Sequence, residues 1–72
     1  MSIKKDTLEV LRFIIVNGPT TISVISKNLK GISERTIRRN VNLLEDEGFI
    51  VSEKPSYKSE KILKFNFDMF KN

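Results

Sequence analysis

Arg35, Arg38, Arg39 and Asn42 are the side chains of this sequence whose types and spacing are best suited to chemistry. They stand at i, i+3, i+4 and i+7, so on a helix they share one side. A guanidinium forks onto the paired acceptors of a phosphate or of guanine O6/N7, and an Asn amide forks onto adenine N6/N7. Ser33 and Thr36 add hydroxyls at the same end. The plainer reading is the solvated face of any amphipathic helix. Charge segregation argues against it. Residues 33 to 42 carry three Arg against the single acid Glu34, whereas Glu45, Asp46 and Glu47 crowd the far end. Both placements oppose the helix macrodipole, at a few tenths of a kcal/mol each, roughly. A helix selected for stability alone would carry the reverse pattern.

A second basic group lies further on, in residues 53 to 61, EKPSYKSEK, where Lys54, Lys58 and Lys61 surround Tyr57. Cations beside an aromatic ring suit a phosphate backbone or a minor-groove edge, although a basic loop tip is also commonly just solvated.

Other chemistry has little to work with. The chain has no Cys and no His, which removes disulfides, thiol chemistry, the usual zinc ligands and the usual general base. Three glycines in 72 residues form no phosphate-binding loop. Catalysis, a metal or cofactor, and a small-molecule ligand are therefore not expected. The net charge of +4 and a pI near 9.6 favour a polyanionic partner. The sequence holds neither an apolar run of roughly 20 residues nor a signal-peptide pattern, so no membrane association is expected and a cytoplasmic location is the simplest expectation.

The length fits one domain, residues 1 to 72. The arginine-bearing segment reads as a helix over about 33 to 47. Ser33 is its N-cap, Ile32 and Ile37 form a hydrophobic staple, Ile37, Val41 and Leu44 face the core, and Gly48 stops it. Before it, residues from about Ser2 to Val16 predict a first helix with a core stripe Leu8, Leu11, Ile15 and a second stripe Ile3, Val10, Ile14. That helix is apolar almost all round at its end, so either the C-terminal strand covers the excess or a second copy of the chain does. Asn17-Gly18-Pro19 ends it. Thr21 caps a short helix from Ile22 to about Leu29, with Ser23, Ser26, Lys27 and Lys30 outward, and Gly31 turns the chain into the next helix. After Gly48 the period becomes 2. Phe49 to Ser52 and Ile62 to Phe67 predict two strands, with Leu63, Phe65 and Phe67 on one side, joined by the basic loop.

In this order, TISVISKNLKGISERTIRRNVNLLEDEGFIV resembles the helix-turn-helix and first wing strand of the winged helix-turn-helix family of transcription regulators. The Leu29-x-Gly31-Ile32-Ser33 turn, Thr36-Ile37 and the Leu44-Glu45-x-x-Gly48-Phe49-Ile50 ending carry most of the likeness, which covers nearly the whole chain. The resemblance implies an α+β fold, with three helices packed on a small antiparallel hairpin and a short third strand at Thr20 and Thr21. It implies sequence-specific double-stranded DNA binding. Ser33, Arg35, Thr36, Arg38, Arg39 and Asn42 would be groove or phosphate contacts, and Lys54, Tyr57 and Lys58 would be wing contacts. It points to a nucleoid-associated regulator if the source is prokaryotic or viral. The sequence departs from many family members in showing no long C-terminal helix, which often builds the dimer there, and this leaves the first helix and Phe65, Phe67, Met69 and Phe70 as candidates for a homodimer contact. The alternative is a winged-helix protein-interaction module within a larger transcription or replication assembly.

Overall fold

The computed structural model describes residues 4 to 70, apart from the side chains of Met69 and Phe70. Three helices, α1 (Lys5–Asn17), α2 (Ile22–Asn28) and α3 (Glu34–Asp46), precede a hairpin of β1 (Ile50–Glu53) and β2 (Ile62–Phe65). A 3-10 turn, Phe67–Phe70, follows. The domain is thus α+β, and its core is one cluster built by all five main elements: Val10, Leu11, Ile14, Ile25, Ile32, Ile37, Val41, Leu44, Ile50 and Leu63.

Local chemistry accounts for most element ends. Thr21 caps α2 by accepting from the Val24 amide at 3.3 Å. Ser33 caps α3 by accepting from the Thr36 amide at 3.2 Å, and its hydroxyl donates to Thr36 Oγ1 at 3.0 Å. The staple forms as expected, with Ile32 and Ile37 both buried. At the far end of α3, Gly48 donates to Glu45 O and Phe49 to Leu44 O, a Schellman closure made possible by φ 84° at Gly48. After α1, Gly18 takes a positive φ of 72°.

The antiparallel hairpin pairs Ile50 with Phe65 and Ser52 with Leu63. Thr20 extends it from the other side. Its N–H donates to Leu63 O at 2.9 Å, and its carbonyl accepts from the Leu63 amide at 2.6 Å. The third strand is therefore a single bridge, at the position the resemblance implies.

Two expectations need correction. The core stripe of α1 is not Leu8, Leu11, Ile15. The buried side is Thr7, Val10, Leu11 and Ile14, while Leu8 and Ile15 are 54% and 43% exposed. The second stripe, through Val10 and Ile14, was the inward one; Ser2 and Ile3 lie outside the described residues. The reason is a polar lock. The buried Thr7 hydroxyl donates to Asn40 Oδ1 on α3, and Asn40 Nδ2 donates to Thr36 O at 2.8 Å. This pins the rotation of α1 about 100° from the expected phase.

The second correction concerns the last strand, which stops at Phe65. Asn66 makes one more rung to Phe49 O, but its side-chain amide then takes Gly48 O at 2.9 Å. A side chain that bonds the neighbouring backbone displaces the next rung, and the chain turns. Phe67 is left 67% exposed, its ring edge-on to Phe65 with centroids 4.8 Å apart. Met69 and Phe70, named as possible subunit contacts, lie outside the described side chains.

Candidate nucleic-acid interface

The side of α3 opposite its core stripe is polar along its length. Arg35, Arg38, Arg39 and Asn42 are all exposed, as Ser33 is, and Thr36 is half-buried. They do not form one uniform patch. Arg38 leans to one flank, where it forms a salt bridge with Glu34 at 3.0 Å. This exposed i,i+4 pair is worth a few tenths of a kcal/mol, roughly, and gives way readily to a competing anion. Arg35 and Arg39 have no ion pair among the described residues, and they flank the outermost line of the helix.

On the Arg38 flank a cleft of about 380 Å³ separates α3 from the hairpin loop. Arg38 and Asn42 line it from the helix, Lys54 and Lys61 from the loop, and Ser23 from the start of α2. The fold thus brings together two groups of cations more than ten residues apart in sequence. Two carboxylates share the cleft and both are tethered. Glu60 accepts from Ser23 Oγ at 2.6 and 2.8 Å, and Glu45 accepts from Ser52 Oγ at 2.7 Å. Glu45, a helix-end acid that opposes the macrodipole, therefore fastens α3 to β1. Ser23, expected to offer its hydroxyl outward, fastens the loop to α2.

The loop tip is held by its own turn. Ser59 N donates to Ser56 O at 3.1 Å, and the two serine hydroxyls lie 2.9 Å apart. Tyr57 projects from this turn, 82% exposed, with Lys58 Nζ 5.8 Å from its ring centroid. Lys54, Tyr57 and Lys58 are all exposed, but Lys54 alone of the three lines the cleft. Tyr57 and Lys58 sit at the far tip. Lys64 is engaged with Glu53 at 3.5 Å. Sequence reasoning did not find Asn40. Its signal was its position, three residues after Ile37 and four before Leu44, where a polar side chain must face inward and find a partner.

On the other flank of α3, a groove of about 410 Å³ runs between α1 and α3, with Leu43, Leu44 and Phe49 in its wall and Lys4 and Arg39 on its lining. The polar pair that also lines it, Thr7 and Asn40, is satisfied internally.

Among the described residues, no cluster of His, Cys, Asp or Glu has the arrangement of a metal site, and no helix is long and apolar enough to cross a membrane. Comparison of the chain with family models, with curated proteins and with solved structures finds no match.

Proposed function

We propose that this chain is a sequence-specific, double-stranded DNA-binding transcription regulator of the winged helix-turn-helix type. In this reading α3 lies in the major groove, and the hairpin loop, residues 53 to 61, rests on the backbone or the minor groove. The observation that carries it is the convergence of α3 and the loop. Arg35, Arg39 and Asn42 stand free on the outer side of α3, and Lys54 and Lys61 extend the same positive surface across the cleft from Arg38. Helix order, the glycine turn between α2 and α3, and the Thr20 bridge are in keeping with that fold type.

The chemistry divides between two tasks. Lysines at the loop, with hydroxyls at the start of α3, are suited to phosphate oxygens, which fix register without reading sequence. Arg35, Arg39 and Asn42 are suited to base edges, since each offers a two-pronged pattern. Glu45, Asp46 and Glu47 at the C-terminal end of α3 would repel phosphates there, so the duplex meets α3 by its N-terminal half.

Fluorescence anisotropy of a labelled duplex of random sequence, titrated with the protein at several salt concentrations, tests the reading. Micromolar binding is expected, weakening with salt at a log–log slope of about 0.9 per neutralised phosphate. Absence of binding at low salt would discard it in favour of an acidic protein partner.

A further inference from the structure

We infer that Ser23 and Glu60 are a positioning pair, which holds Lys54 and Lys61 where they meet phosphates of the same duplex that α3 enters. The inference rests on the proposed nucleic-acid reading and deepens it, by assigning the residues that set the angle between α3 and the loop.

Register alone brings the two lysines together. The last pair of the hairpin is Glu53 with Ile62, so Lys54 and Lys61 are the next opposed positions. Ser52 and Leu63, two residues back on each strand, face the helices: Ser52 bonds Glu45 on α3, and Leu63 lies in the core. Side chains two apart on a strand share a side, so Lys54 and Lys61 turn toward the cleft, and both line it. Beyond the last pair, nothing in the hairpin itself fixes where the loop goes. Its internal bonds, from the Ser59 amide to Ser56 O and between the two serine hydroxyls, only close its own turn.

One external contact does fix it. Ser23 Oγ donates to the Glu60 carboxylate, 2.6 Å from one oxygen and 2.8 Å from the other. Among the described residues, no other hydrogen bond or ion pair joins residues 54 to 61 to the helices. Ser23 belongs to α2, which packs on α3, and Glu60 is the chain neighbour of Lys61. The base of the hairpin is held by the core, the Thr20 bridge and the Glu45–Ser52 bond, and the loop is held by Ser23. Without that last contact the loop pivots about its base.

Charge argues the same way. Glu60 lines a cleft shared with Arg38, Lys54 and Lys61, where a carboxylate repels the phosphates that the cations attract. An acid at that place lowers affinity unless it gives something in return, and its bond to Ser23 is the return. A loop ordered beforehand avoids the entropy loss of ordering it on the duplex.

Anisotropy with the labelled random-sequence duplex tests this through changes matched in charge. Ser23→Ala removes the donor and no charge. It should weaken binding several-fold and lower the log–log salt slope by about 1 to 2, as the contacts of Lys54 and Lys61 are lost, whereas Ser23→Thr should keep both near wild type. Glu60→Gln and Glu60→Ala lose the same charge, but only Gln still accepts from Ser23. The Ala variant should therefore bind several-fold more weakly than the Gln variant. In the Ser23→Ala background, replacing Lys54 and Lys61 by Ala should cost much less than in the wild type, because the residues act as a unit. All four sites are exposed, so thermal melts should be alike across the set. Equal affinity and slope for Ser23→Ala and wild type overturn the inference. So does a Glu60→Ala variant that binds as tightly as Glu60→Gln, which would make Glu60 only a competitor of phosphate. A wild type that binds no duplex overturns the proposed function itself and this role with it, so the two failures are told apart.

Discussion

Asn40 and Arg39 are adjacent on α3 and have opposite roles. Asn40 is buried, and its amide is used at both ends, by the Thr7 hydroxyl and by Thr36 O. Asn40→Ala removes the acceptor and leaves that hydroxyl buried without a partner, a loss of about 1 to 3 kcal/mol. A urea titration should show it as a lower midpoint at unchanged slope. Thr7→Val with Asn40→Leu should cost less than the two single changes summed, because the polar group is then removed with its partner. Arg39, in contrast, is exposed and makes no ion pair among the described residues. Arg39→Ala should leave the urea midpoint nearly unchanged and weaken duplex binding by about 1 to 3 kcal/mol if it reads a base. A fall in stability with intact binding would reverse the roles proposed for the two residues.

At the scale of the element, legibility followed locality. The limits of α3 were readable because Ser33, the Ile32–Ile37 staple and Gly48 act within a few residues of one another. The rotation of α1 was not, since two apolar stripes about 100° apart compete on it and the choice is made by Asn40, more than thirty residues away. The end of β2 was missed because the Asn66 side chain, not an alternation of apolar residues, decides it. For the candidate site, each named side chain on α3 and the loop is at the surface, but the Arg38–Glu34 pair and the cleft shared with Lys61 depend on packing. Gly48 offers a test at this scale. A Cβ there meets nothing within 4 Å, so the cost of Gly48→Ala is purely that of holding an L-residue at φ 84°. About 1 to 2 kcal/mol is expected, and less for Gly48→Asn. Equal melting temperatures for the wild type and the Ala variant would mean that α3 does not end in this closure.

For the whole molecule, symmetry in the protein is mirrored in the DNA it reads. If two copies of the chain act together, their α3 helices meet half-sites about one helical turn, roughly 34 Å, apart. A selected binding site should therefore be nearly palindromic, with half-sites about one turn apart. A footprint with a single asymmetric contact would separate the dimer from DNA recognition.

The bridge between Thr20 and Leu63 bears on how the chain is made. Leu63 is fully buried, and its backbone holds the α1–α2 junction through two hydrogen bonds. All three helices leave the ribosome before it does. Until β2 emerges, α1, which packs on that strand, lacks part of its apolar cover, and the helices alone are expected to leave the core open to chaperones and proteases. The fold is completed from its last strand backwards, so a ribosome stalled just short of residue 63 would hold a helical chain without a closed core.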